Sequence, residues 1–126
     1  MSIILFEIGR VYTWIDNLDK ASHFLNKVNL RFLHDNHLAD YWRAMLWLFI
    51  RMGKYKSAIK MFKHLEDYDE DDVNISEIYC LRGFAYYKIG KKDEARRDFK
   101  KALKYPIHND WVKEDCEQYL TELEEI

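Results

Sequence analysis

Proline and glycine are scarce in this 126-residue chain. It has one proline and four glycines, so few positions suit a tight turn. β-sandwiches and β-barrels need many such turns, and the composition therefore disfavours both. It favours long helices joined by short connections. The length is enough for one domain with a hydrophobic core of its own.

Cysteine is also scarce, and long apolar runs are missing. Cys80 and Cys116 form neither a CxxC motif nor a disulfide framework, so we predict two buried thiols in a reducing, cytoplasmic compartment. The first residues show no basic segment followed by a cleavage site, and no signal peptide is expected. Arg43 and Arg51 interrupt an apolar run that is shorter than the about 20 residues of a membrane span. No association with a membrane is predicted.

An excess of charge of one sign is absent too. Twenty basic and 22 acidic residues leave a net charge of −2, which disfavours nucleic acid as a partner. The sequence has no nucleophile motif, phosphate-binding loop or paired-carboxylate cleft, so we predict no enzyme activity and no cofactor. What it does have is many aromatic residues, 16% of the chain. These must be buried in a core or at a contact with a partner.

Two segments have the residue types of a metal site without its spacing. The acidic segment 66–72 resembles the start of a calcium-binding loop, but Asp72 and Ile78 stand where glycine and glutamate are required. We predict a solvated acidic loop there. His34 and His37 can share a helix face, but no third ligand is near them in the sequence. No metal site is predicted.

A pattern of small and large apolar residues recurs every 37 positions. Its alanines are Ala21, Ala58 and Ala95, and each is the last residue of a similar turn segment, at 15–21, 52–58 and 89–95. The other residues at equivalent positions are Leu5, Ile8, Gly9, Tyr12 and Leu25 in the first copy, Trp42, Met45, Leu46, Phe49 and Phe62 in the second, and Tyr79, Arg82, Gly83, Tyr86 and Phe99 in the third. We predict that the small residues mark close helix contacts and that the aromatic residues fill the space between repeats.

This pattern resembles the tetratricopeptide repeat (TPR) family. The family pattern is an aromatic residue, two residues, Leu-Gly, two residues, Tyr, then Ala, three residues and Phe, with Pro further on. The third copy matches nearly all of it, with Arg82 in place of Leu, whereas the second has Leu46 in place of Gly. The resemblance implies an all-α fold, an α–α superhelix of three helix pairs in a single domain covering residues 1–126. The approximate repeats are 2–35, 39–72 and 76–107.

Seven helices are predicted in total, and the last one follows the third repeat. The predicted ranges are 2–15, 18–32, 39–52, 55–66, 75–89, 92–104 and 110–124. In the last helix, one apolar stripe stands opposite an acidic face. The stripe consists of Val112, Cys116, Tyr119, Leu120 and Leu123. Because a terminal repeat needs a polar outer face, we predict that this helix caps the array.

The resemblance also implies that the first helix of each repeat lines an inner groove, in which a partner protein or peptide binds. The predicted partner-binding residues are Phe6, Arg10, Trp14, Arg43, Trp47, Arg51, Phe84, Tyr87 and Lys88. Aromatic residues and arginine are the types most enriched in binding hot spots. The alternative interpretation is that Trp14, Trp47 and Phe84 belong to the core of a short array.

The kind of partner is constrained by what the groove positions contain. Some TPR proteins clamp a C-terminal carboxylate with a set of Lys, Asn and Arg, and Phe6, Arg10 and Ala44 do not reproduce that set. We therefore expect an extended or helical peptide with apolar anchors and some acidic residues. Small TPR chains resemble bacterial secretion chaperones, so a small chaperone or an adaptor is the predicted role.

Two other functions remain open from the sequence. Apolar residues of the first repeat, such as Leu5, Phe6 and Trp14, could pair two chains into a homodimer or a larger assembly. Alternatively, an inhibitor or immunity-type protein would use the acidic segment 66–72 or the acidic last helix against a basic target.

Overall fold

The structure is a computed structural model that describes residues 5, 9, 10, 12, 17–29, 35–66, 74–107 and 109–124, with the backbone alone at 35–37. Every regular element in these residues is helical, which confirms the all-α prediction. The helices are α1 (Leu18–Asn26), α2 (Asp35–Arg51), α3 (Tyr55–Met61, continued by a 3-10 turn at Phe62–His64), α4 (Ile75–Lys88), α5 (Lys92–Ala102) and α6 (Asp110–Glu124). Within the described ranges, no helix is long and apolar enough to cross a membrane.

The chain divides into two compact units, Met1–Tyr68 and Asp69–Ile126. The first contains α1, α2 and α3, and the second contains α4, α5 and α6. The single domain and the superhelical arrangement of the repeats stay predictions.

Helix positions agree with the sequence to within two residues in the second unit and differ at three ends in the first. The helix predicted at 55–66 ends at Met61 and continues only as a 3-10 turn to His64. The helix predicted at 18–32 ends at Asn26, and the helix predicted at 39–52 begins at Asp35. The early end at Asn26 has a local cause, because the amide of Val28 donates to the Leu25 carbonyl at 3.2 Å and tightens the last turn. This turn lets Val28 pack against the buried core. Of the helix predicted at 2–15, only residues 5, 9, 10 and 12 lie in the described ranges, and all four are helical.

One core cluster of the first unit lies between α1 and α2. Its buried members are Ala21, Leu25, Tyr41, Ala44, Met45 and Leu48. The hydroxyl of Tyr41 donates to the backbone carbonyl of Leu25 at 3.4 Å, which gives this buried polar group a partner. Burial also raises the pKa of Tyr41.

One backbone hydrogen bond recurs at the turn of all three repeats. In each case an amide donates to the carbonyl oxygen five residues earlier, over 2.9 Å. The donor and acceptor residues are Asn17 and Tyr12, Lys54 and Phe49, and Lys91 and Tyr86. Because these three pairs are 37 positions apart, the backbone repeats with the same period as the sequence.

Glycine allows this turn in the second and third repeats. Gly53 and Gly90 have φ angles of +74° and +85°, in the left-handed region that side chains disfavour. The amide of Gly53 donates to the carbonyl of Ile50 at 3.1 Å, and the amide of Gly90 donates to that of Tyr87 at 3.2 Å. Together with the longer-range bond, this is the Schellman pattern that ends many helices.

The other two glycines let helices approach closely, as predicted. A Cβ atom at Gly83 would lie 2.9 Å from Cε1 of Phe99 and 3.2 Å from Cβ of Asp98, so α4 and α5 leave no room for a side chain there. A Cβ atom at Gly9 would lie 2.6 Å from Cγ of Leu25. In both repeats, therefore, glycine stands where a large residue of the second helix presses against the first.

The last helix covers the end of the second unit. Val112, Cys116 and Leu123 are buried, and the predicted stripe of α6 therefore faces the other two helices. The ring of Tyr119 stacks on Phe99 with centroids 5.3 Å apart. The structure confirms the helix at 110–124 and its packing side.

Candidate functional site

The predicted partner-binding residues fall in both units. Arg43, Trp47 and Arg51 lie on α2 and are half-buried. Phe84 and Tyr87 lie on α4 and are half-buried, whereas Lys88 at the end of that helix is exposed. Arg10 is half-buried in the helical part of the first repeat. Two of the predicted residues, Phe6 and Trp14, lie outside the described residues.

A basic side chain lies over an aromatic ring at the same position of two first helices. The guanidinium carbon of Arg51 is 5.5 Å from the ring centroid of Trp47, and the ammonium of Lys88 is 5.3 Å from that of Phe84. Both pairs are four residues apart, so they share a helix face. Each pair places positive charge beside an aromatic surface, a combination that can hold acidic and apolar groups of a partner.

Phe84 and Tyr87 also contact the last helix. Their ring centroids are 5.7 Å and 5.0 Å from that of Tyr119 on α6. The hydroxyl of Tyr87 donates to Oε2 of Glu122 at 2.9 Å. This hydrogen bond is the main cause that raises the pKa of Tyr87. One side of both rings is thus occupied by α6, which is the packing role that the alternative interpretation gave to Phe84.

A cleft between α4 and α5 was missed by the sequence analysis. Its volume is about 320 Å³. The residues that line it are Arg82, Tyr86, Glu94, Arg97, Asp98 and Lys101. Three of these are basic and two are acidic. The signal in the sequence was Arg82, which stands where the family pattern has leucine.

Arg82 and Asp98 form a bidentate ion pair in this cleft. Nε donates to Oδ2 and Nη2 donates to Oδ1, both at 2.7 Å. The side chain of Asp98 is 5% exposed and that of Arg82 is 22% exposed, so the carboxylate depends on the arginine for its hydrogen bonds. The guanidinium also lies 5.5 Å from the ring of Tyr79 and 5.7 Å from that of Tyr86. Asp98 belongs to a segment that the charge pattern alone would place on a solvated face, and the structure instead buries it.

A second contact with an aromatic ring occurs at equivalent positions of the second and third repeats. The ammonium of Lys101 is 4.8 Å from the centroid of Tyr79. A hydrogen bond to Tyr79 is the main cause that raises the pKa of Lys101. At the equivalent positions of the second repeat, the rings of Trp42 and His64 stack with centroids 3.9 Å apart. In both repeats, therefore, a side chain near the end of the repeat lies against an aromatic residue of its first helix.

The described residues contain no cluster of three or more His, Cys, Asp or Glu side chains that could hold a metal ion. His37 lies in the first turn of α2, rather than near the end of the preceding helix. His34 and most of the acidic segment 66–72 lie outside the described residues.

Comparison with known proteins agrees with the repeat pattern and the helix pairs. Residues 76–105 match the family described as Tetratricopeptide repeat, and this range spans nearly all of the α4–α5 pair. The third repeat of the chain is therefore similar to a tetratricopeptide repeat along almost its whole length. Members of this family generally mediate protein–protein interactions.

The chain is also similar to part of a curated protein, DnaJ homolog subfamily C member 3 of Gallus gallus. The two are 36% identical over 92 residues. The alignment covers 73% of this chain and 17% of that relative, so the chain spans only a small part of its length.

Proposed function

We propose that this protein binds a partner protein or peptide through the exposed parts of its first helices and acts as a small chaperone or adaptor. The observation that supports this is the recurrence of a basic side chain over an aromatic ring, at Arg51 with Trp47 and at Lys88 with Phe84. The occurrence of this pairing at equivalent positions of two repeats, with different residues in each, fits a surface with a shared role. The name of the DnaJ relative supports a chaperone-related role for the module.

The chemistry of these pairs indicates the kind of ligand. An aromatic ring offers apolar contact area with little side-chain entropy to lose, and the adjacent cation attracts a carboxylate. A peptide that alternates apolar anchors with acidic residues would meet both requirements.

The second repeat gives stronger support to the proposed binding surface than the third repeat does. Arg43, Trp47 and Arg51 supply two cations and one large ring on α2. In the third repeat, Phe84 and Tyr87 already contact α6, and their share of a partner surface is correspondingly smaller. We expect Arg10 of the first repeat to contribute to the partner surface, and the same is proposed for Phe6 and Trp14, which lie outside the described residues.

Affinity capture from the native lysate tests the proposal. The wild-type chain is compared with an Arg43→Glu/Trp47→Ala variant, and the bound proteins are identified by mass spectrometry. Lys60→Glu is the control, because Lys60 is exposed on the second helix of the same repeat and the charge change matches. Circular dichroism checks that both variants remain helical.

A partner that is retained by the control and lost by the double variant would support binding through α2. A partner that all three proteins retain would contradict this site and direct attention to the acidic segments. Recovery of only the chain itself, with a mass by light scattering that rises with concentration, would instead support self-association.

A further inference from the structure

The two cysteines of the chain meet inside the second unit. Cys80 on α4 and Cys116 on α6 are 2% and 0% exposed, and both are thiols. An interaction with the Cys116 thiol is the first cause that raises the pKa of Cys80. The sequence predicted two buried thiols, but not that they would be partners.

Other contacts between α4 and α6 fix the same register independently of the thiols. Phe84 contacts Tyr119, and Tyr87 contacts both Tyr119 and Glu122. The residue numbers rise together, so the two helices run in the same direction. Cys80 precedes Phe84 by about one helical turn on α4, and Cys116 precedes Tyr119 by about one turn on α6. The meeting of the two thiols is therefore a consequence of the helix packing.

From this juxtaposition we infer that Cys80 and Cys116 form an intramolecular disulfide when the chain meets a small disulfide oxidant such as oxidised glutathione. A thiolate of one cysteine attacks the glutathione disulfide and displaces one glutathione thiol. The second cysteine then attacks the mixed disulfide at the protein sulfur and displaces the other. Two protein thiols are oxidised, one oxidised glutathione is reduced, and the two thiol protons end on the two released glutathiones.

The folded unit should resist this reaction, because a thiolate is the species that attacks. The interaction with Cys116, then burial, then the nearby charges of Asp115 and Glu77 raise the pKa of the Cys80 thiol far above its ordinary range. A reagent also has no direct access to sulfur atoms that are at most 2% exposed. The bond is therefore expected to form during folding, or when α6 detaches, and to be protected once α6 packs.

The disulfide would lock the last helix to α4. The two cysteines are 36 positions apart and enclose all of α5. For a loop of this length, the chain-entropy relation gives a roughly 600-fold increase in the folding equilibrium constant, provided the bond closes without strain. This inference does not depend on the proposed partner-binding function.

Refolding in a glutathione redox buffer tests the inference. Reduced, urea-unfolded protein is refolded with mixed reduced and oxidised glutathione, acid-quenched, and analysed by intact mass and by peptide mapping without reductant. Urea unfolding is then followed with and without dithiothreitol. The single variants Cys80→Ala and Cys116→Ala are controls, because neither can form the bond.

We expect a mass lower by two hydrogen atoms, a linked Cys80–Cys116 peptide, and a gain in stability of up to roughly 600-fold that dithiothreitol removes. Already folded, reduced protein should form the same bond more slowly. The inference is overturned if the wild type carries only glutathione adducts or stays reduced. It is also overturned if the linked protein is no more stable than the reduced one, or if a single variant shows the same gain.

Discussion

Replacing Arg82 by leucine, the residue that the family pattern has at this position, should destabilise the protein strongly. The change leaves the carboxylate of Asp98, which is 5% exposed, without either of its two 2.7 Å hydrogen bonds. Breaking a buried ion pair by removing one partner costs about 3–5 kcal/mol. We expect a loss near the lower end, because the 22% exposure of Arg82 shows that water reaches the pair from one side.

Removing the other partner of the ion pair should reduce the stability of the protein by less. In Asp98→Ala the guanidinium of Arg82 keeps its contacts with the rings of Tyr79 and Tyr86 and can turn part of its surface to water. We expect a loss of about 1–3 kcal/mol, the cost of an unsatisfied polar group. In the double variant Arg82→Leu/Asp98→Ala neither charge is left, so its loss should fall short of the sum of the single losses by about 1–3 kcal/mol.

Urea denaturation of the wild type, both single variants and the double variant gives this coupling free energy. Arg97 and Glu94 provide the control cycle on the same helix. Their closest atoms are 3.7 Å apart and their side chains are 75% and 41% exposed, so their coupling should be at most about 0.5 kcal/mol. If the Arg82–Asp98 cycle is as small as the control cycle, the reasoning from burial is refuted.

Two further predictions concern single side chains of the second unit. Gly83→Ala places a methyl group 2.9 Å from the ring of Phe99; the overpacking costs about 1–3 kcal/mol and outweighs a gain in helix propensity of about 1 kcal/mol. A variant more stable than the wild type in urea would contradict the close approach of α4 and α5. Burial raises the pKa of the Asp115 carboxyl group in the folded protein. The folded state therefore loses stability as the pH rises from the ordinary pKa through the raised one, because the carboxyl group has to ionise in a partly buried position. Asp115→Asn should therefore increase the melting temperature at neutral pH but not below the ordinary pKa, and an equal increase in acid would show another cause.

The sequence predicted best those features that are contained within one helix or one turn. The stripe of α6 lies within a single helix, and its bounds and buried face followed from spacing alone. The role of Gly83 also followed, because the repeat aligns it with the residues of the facing helix. The helix that ends at Asn26 was predicted too long. An apolar residue at position 28 favours a longer helix, whereas in the structure Val28 packs on the core from a turn.

The sequence could not predict contacts between particular side chains on two different helices. Arg82 and Asp98 are 16 positions apart, and their pairing depends on the angle and spacing of α4 and α5. The contacts of Tyr119 with Phe84 and Tyr87 depend on which side of the helix pair α6 occupies. Side-chain periodicity indicates that a face is buried, but it does not name the residues on the other side.

The shared turn of the repeats has a consequence for how such a chain can change in length. In the second and third repeats, the turn is closed by hydrogen bonds among Phe49, Ile50, Gly53 and Lys54, or among their counterparts 37 positions on. Every amide and carbonyl group in these hydrogen bonds belongs to the same repeat as the turn. An in-frame duplication or deletion of one 37-residue period in the gene would therefore transfer or remove a complete turn.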